Sequence, residues 1–206
     1  MPDQYFTDRY AESPDPWRLA DRWYERRKYA ITVAMLPLPT YRHAFEPGCS
    51  VGVLTELLTD RCEHVTATDV AQAALDEARV RLDGIGRLDR VSLRRLSLDS
   101  AWPAADYDLV VLSEVAYYLS ASRLREVLDR ECARLDPGTT VVASHWRHRV
   151  EDYPLTGDEA NAVIARTSDL HQTAAYLDDD VTIAVFTKGS DQSVATRFGV
   201  PGVRLK

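Results

Sequence analysis

The stretch EPGCSVGVLTELLTDRCEHVTATD, residues 46 to 69, decides the fold of this chain. It opens on a short loop of small residues, passes into an amphipathic segment, and closes on the β-branched run VTATD, which ends at Asp69. That order reads as strand end, loop, helix and second strand. Small residues let a backbone approach a ligand closely, and the start of a helix presents N–H groups that have no partner within the helix. Gly48 and Gly52 occupy the loop, but Val53 follows where the dinucleotide-binding pattern G-x-G-x-x-G would continue toward a third glycine. The missing third glycine weighs against a nicotinamide dinucleotide as the ligand of this loop.

Working outward, a short strand from Tyr41 to Phe45 precedes the loop, a helix runs from about Val51 to Arg61, and a second helix from Ala71 to Leu82 follows VTATD. VSLRRL (91–96), DLVVLS (108–113) and TVVAS (140–144) continue the strands, with a helix over SRLREVLDRECARL (122–135) between the last two. DLVVLS and TVVAS are nearly continuous apolar runs, as expected of parallel strands buried on both faces. A helix from Asp158 to Arg166 leads to HQTAAYL and VTIAVFT, which the turn residues Asp178 to Asp180 join into an antiparallel hairpin. Ahead of the sheet, apolar residues at Leu19, Trp23, Ala30, Val33 and Leu36 predict an amphipathic helix over 18–36, stopped by Pro37. The expected fold is α/β: one Rossmann-like domain with an N-terminal helical lid (1–38), a core (39–190) and a C-terminal tail (191–206).

Composition agrees with a single core: 206 residues, 45% hydrophobic and 28% charged. A formal net charge of -7 argues against a surface built for nucleic acid. The N-terminus lacks a signal-peptide pattern and no run approaches a membrane-spanning length, so a cytoplasmic protein is expected. Cys49, Cys62 and Cys132 share no metal-ligand or disulfide spacing and read as structural; no metal is called for, and no segment marks an oligomer interface.

Candidate site residues cluster at strand ends. Asp69 ends the second strand, where an acidic side chain reaches the ribose hydroxyls of a nucleoside or caps the following helix. Glu46 ends the first strand, where a buried charge is costly unless a cation meets it. Glu114 follows DLVVLS and His145 follows TVVAS, both at the crevice where open α/β sheets place ligands. Either can bind and deprotonate an acceptor. Tyr117, Tyr118 and Trp146 offer packing surfaces beside them, and Arg147 offers a carboxylate or sugar contact. Asp158 and Glu159 either cap a helix or face a cationic acceptor. Tyr10, Trp17 and Tyr24 are expected on the underside of the lid.

PDPWRLADRWYERRKYA (14–30), FEPGCSVGVLTELLTDRC (45–62), YDLVVLSEVAYYL (107–119), LDPG (135–138), SHWRH (144–148) and GDE (157–159) together resemble the class I S-adenosylmethionine-dependent methyltransferases, and more narrowly the NodS-like family of small N-methyltransferases. The resemblance implies S-adenosyl-L-methionine as cofactor, S-adenosyl-L-homocysteine as its product, and an amine on a small polar or amino-sugar-like molecule as acceptor. It also implies a cofactor pocket of Glu46, Gly48, Ser50 and Gly52 at the methionine end, Asp69 at the ribose, Ser97, Leu98 or Asp99 at the adenine, and Ser113 beside them. Arg26 is expected to grip the methionine carboxylate. Glu114 and His145 would be the catalytic pair, and Tyr117, Tyr118, Trp146, Arg147 and Asp158 would hold the acceptor. The sequence departs from the family pattern in three places. Ser50 stands where another glycine is usual, Ser97 where an adenine-binding Asp is usual, and Asn161 where relatives tend to carry His. An O-methyltransferase, a nicotinamide-dependent reductase and a cofactor-binding module without turnover are the alternatives.

Overall fold

Strands β1 (Tyr41–Pro47), β2 (Cys62–Asp69), β3 (Val91–Arg95), β4 (Leu109–Ser113), β5 (Thr140–Trp146), β6 (Leu170–Leu177) and β7 (Val181–Lys188) join in one seven-stranded sheet. This is seen in a computed structural model, which describes residues 1 to 203; the last three residues of the expected tail lie outside the described residues. The strand order is β3-β2-β1-β4-β5-β7-β6. The first five strands pair in parallel, and β7 runs antiparallel between β5 and β6. The hairpin expected at the C-terminal end is present, with its second strand inserted on the inner side. The order reverses between β1 and β4, and such a switch point opens a crevice at the carboxyl ends of the strands.

Alternation along the strands divides the core into two layers. Leu109, Val111 and Val142 point to a layer shared with Leu54 and Leu58 of α3 (Val53–Thr59) and Leu75 and Leu82 of α4 (Gln72–Gly84). Val110, Leu112, Val141 and Ala143 point to the opposite layer, shared with Leu124 and Leu128 of α5 (Ala121–Cys132) and Ile164 of α6 (Gly157–Ile164). Full burial of each such side chain contributes about 1.5–3 kcal/mol before entropy is counted. The three cysteines are buried and unpaired within this framework.

The N-terminal segment differs from its expected form. A helix α1 (Asp3–Glu12), unmarked by strong periodicity, precedes α2 (Trp23–Ala34). Its inward face is aromatic, with Phe6 and Tyr10 facing Trp17. Residues 18 to 22, expected as helix, form a turn in which Arg18 has φ 58° and the Asp15 carboxylate accepts from the N–H groups of Leu19 and Ala20, both at 3.0 Å. Asp15 thus ends one turn and sets the start of the next element. Among the described residues no helix is long and apolar enough to cross a membrane.

Candidate active site

The carboxyl ends of β1, β2 and β4 and the inner sides of α1 and α2 enclose a cavity of about 390 Å³. The glycine loop forms its floor by adopting left-handed backbone. Gly48 has φ 71°, and an added Cβ would lie 2.9 Å from Val115 Cγ2. Ser50 has φ 52°, which explains why glycine suits that position. Its backbone is held by an N–H donated to Asp69 Oδ2 at 3.0 Å, and its hydroxyl by the Tyr10 phenol of α1. Gly52, expected at the methionine end, does not line the cavity. Its φ of 77° and the 3.0 Å that would separate an added Cβ from Ala78 Cβ make it the glycine that lets α4 pack close.

Two buried acids stand at the strand ends. Asp69 lines the cavity while Oδ2 takes the Ser50 N–H and Oδ1 the Ala71 N–H at 3.0 Å, so it both steadies the entry to α4 and faces the cavity. Burial raises its pKa, against those backbone hydrogen bonds. Glu46 accepts one side-chain hydrogen bond, from Thr55 at 2.7 Å. Burial pushes its carboxyl up to about 8, with Thr55 acting against the shift and nearby Asp69 adding to it. Ser113 Oγ and Tyr24 Oη are buried at the cavity wall without a partner among the described residues.

The opposite wall carries a network that sequence reasoning missed. Lys28, 1% exposed, lies 2.7 Å from both Glu25 Oε2 and Glu114 Oε1. Glu114 sits just beyond β4 with φ 55°, its N–H bonded to the Ser144 carbonyl at 2.9 Å. Its Oε2 accepts from the Tyr117 phenol and, at 3.1 Å, from the Trp146 N–H. Burial alone would raise the pKa of Glu114, but the Lys28 ammonium and these donors hold it below the ordinary range. Lys28 was hidden within the basic run Arg26-Arg27-Lys28. Successive residues on a helix point about 100° apart: Arg26 turns outward, Arg27 pairs with Asp178 at 2.7 Å, and Lys28 turns inward.

Arg26, expected at the methionine carboxylate, is therefore exposed and outside the cavity lining, whereas Arg22 lines it. His145, expected as a catalytic base, is fully buried behind the wall. Its Nδ1 pairs with Asn161 Oδ1 at 2.8 Å and its Nε2 accepts from the Ala116 N–H at 3.2 Å. That arrangement suits a neutral ring, and burial lowers its pKa in spite of Glu114 and Asn161. Both ring nitrogens are occupied, so His145 supports the wall rather than meeting an acceptor. Arg147 and Asp158, assigned to the acceptor, pair with each other outside the cavity, the shortest contact being 3.0 Å. Glu159 and Thr156 make the capping box of α6. Asp99 pairs with Arg123 at 3.3 Å and stays out of the cavity lining, which includes Ser97 and Leu98. Tyr117, Tyr118, Trp146, Tyr10, Trp17 and Tyr24 all face the cavity, and Tyr153 joins them, stacked on Tyr117 with centroids 5.2 Å apart.

A family model described as nodulation protein S (NodS) matches residues 4–189. The chain belongs to the NodS family. It is similar to nodulation protein S of Bradyrhizobium diazoefficiens, 32% identical over 120 residues, which are 58% of this chain and 54% of the relative. The chain spans about half the length of the first curated relatives it matches. Its fold is similar to the crystal structure of the N-methyltransferase NodS from Bradyrhizobium japonicum WM9 in complex with S-adenosyl-l-homocysteine, with TM-score 0.80, 24% identity, and 91% of this chain and 99% of that chain covered. A solved structure from Pseudomonas syringae is 36% identical, with TM-score 0.68 and 81% and 100% of the two chains covered. The NodS-family fold is thus the Rossmann-like fold of S-adenosylmethionine-dependent methyltransferases.

Proposed function

We propose that this NodS-family chain is an S-adenosylmethionine-dependent methyltransferase acting on an amine of a small polar or amino-sugar-like molecule in the cytoplasm. The observation that carries the reading is Glu46, a buried acid without a cation partner among the described residues, lining a cavity whose neighbouring acid, Asp69, faces the same space. The residues present fit the cofactor. Glu46 would receive the methionine ammonium, Arg22 the carboxylate, and the remaining lone pairs of Asp69 the ribose hydroxyls. Ser97 and Leu98 would line the adenine, and Ser113 Oγ is a buried hydroxyl in want of a partner. When bound, S-adenosylmethionine supplies a sulfonium methyl whose C–S electron pair leaves on sulfur as the acceptor bonds to carbon.

Much of such a reaction comes from alignment of the reacting atoms. The protein's own work is to exclude water and to manage the acceptor's charge. Two carboxylates against one ammonium leave the Glu25–Lys28–Glu114 wall formally negative, and the rings of Tyr24, Tyr117 and Trp146 stand nearby. Carboxylates and aromatic faces together favour a cationic acceptor. Calorimetric titration with S-adenosylmethionine and S-adenosylhomocysteine tests the cofactor half of the reading, and failure of both to bind ends it. Mass spectrometry of products from an amine panel tests the other half; methyl groups found only on oxygen would overturn the amine assignment.

A further inference from the structure

We propose that Glu25, on the cavity side of α2, takes the proton from the acceptor's ammonium before methyl transfer, an assignment that rests on the amine reading above. Glu25 and Glu114 both meet Lys28, but they differ in what else they hold. Glu114 is committed on both oxygens: Oε1 to Lys28 at 2.7 Å, Oε2 to the Tyr117 phenol and the Trp146 N–H. A proton arriving there would displace a donor already in place. Glu25 also lines the cavity, and its one ion-pair partner among the described residues is Lys28, 2.7 Å from Oε2. No directed hydrogen bond reaches that oxygen.

The electrostatics run the same way. Burial favours the neutral form of Glu25 and raises its pKa, with Lys28 opposing the shift and the Glu114 charge adding to it. Glu114 is held below the ordinary range. Of the two acids, Glu25 is the one that accepts a proton. The charged and titratable groups around it are Arg22, Tyr24, Lys28 and Tyr29 at the start of or along α2, and Glu114 from beyond β4. None is a better proton acceptor: Lys28 is held protonated by its two carboxylates, and burial raises the phenols of Tyr24 and Tyr29 above their usual range.

The step balances on the protein side. An N–H bond of the ammonium breaks, an O–H bond to a Glu25 oxygen forms, and the electron pair stays on nitrogen as the lone pair that attacks. Glu25 then passes its proton to water at the cavity mouth, while the Lys28–Glu114 pair keeps its charges throughout.

The test compares wild type, Glu25→Gln and Glu114→Gln, with glucosamine as the probe amine. Glu25→Gln is expected to lower kcat about 100-fold near neutral pH, and the loss should shrink at alkaline pH, where the amine arrives already neutral. Calorimetric affinity for S-adenosylhomocysteine should stay within about threefold of wild type, a difference under 1 kcal/mol. A wild-type rate for Glu25→Gln, or an equal loss at every pH, overturns the proposal. A second measurement needs no acceptor: carboxyl ¹³C NMR titration of the S-adenosylhomocysteine-loaded protein, with the two variants assigning the signals. Glu25 should titrate above Glu114, and the reverse order overturns the assignment. Failure of wild type to bind S-adenosylhomocysteine, or methyl transfer only to oxygen, instead defeats the functional reading on which the proposal rests.

Discussion

Glu46 and Glu114 are both buried acids at strand ends of one cavity, and they are treated in opposite ways. Among the described residues Glu46 has a threonine hydroxyl and no cation, and its pKa is pushed up to about 8. Glu114 has a lysine ammonium, a phenol and a backbone N–H, and its pKa is lowered. Burial is common to both, so burial does not decide the charge; the partners do. On the function proposed above, the end of the cavity at Glu46 leaves its counter-charge to a ligand. The Glu114 end has built its own into the protein, and spends it on holding α2 against the sheet.

The strongest way to break this contrast is Lys28→Met, which turns the Glu114 end into a copy of the Glu46 end. Two acids are left buried without a cation, and stability in denaturant unfolding should fall by about 3–5 kcal/mol. Glu46→Gln sharpens the other side. With no carboxylate to meet an ammonium, calorimetric affinity for S-adenosylhomocysteine should weaken by about 10- to 100-fold, or about 1.4–2.8 kcal/mol. The same variant has a pH signature. Because folding raises the pKa of Glu46, the ligand-free folded chain retains a proton that the unfolded chain loses between the ordinary glutamate range and about 8. Wild-type stability should therefore decline as pH rises through that window, and Glu46→Gln should remove that part of the slope. Unfolding curves at acid and alkaline ends of the window give the answer.

Smaller effects probe individual partners. Tyr117→Phe takes one donor from Glu114 and should cost about 1.5–2 kcal/mol in the same unfolding assay. Tyr10→Phe removes the phenol that meets Ser50 across the glycine loop and should cost about 0.5–1.5 kcal/mol. It should also raise hydrogen exchange in α1 more than in the sheet, since α1 contributes a single fully buried residue, Tyr10. Equal protection loss in both would count against α1 as a separately docked cover.

Much of this was legible in the chain. Period-two and period-3.6 patterns gave the strands and core helices of residues 41 to 188, because buried elements must repeat apolar residues at their own period. Glu46 and Asp69 were read from their positions at strand ends and Gly48 and Ser50 from the loop between strand and helix and the family resemblance; all four line the cavity. The misreadings share a cause. Helix α1 has an inward face of aromatic residues too sparse to mark a period. Arg26 and Lys28, two residues apart in a basic run, differ by half a turn of helix. His145 lies in the last two residues of β5 and Arg147 just beyond it, near the strand end as Glu114 is, yet Asn161 and Asp158 of α6 arrive to occupy them. Gly157 makes that approach possible, for an added Cβ there would lie 2.2 Å from the Trp146 carbonyl oxygen.

The sequence by itself determined the alternating elements of a mostly parallel sheet and the acids at its strand ends, since these follow from local periodicity and chain order, while the reversal between β1 and β4 is read from the strand pairing. Only the tertiary structure decided which polar groups face the cavity and which are consumed by one another. That choice depends on distances between elements far apart in the chain, such as the 2.7 Å between Lys28 and Glu114, and no local pattern encodes it.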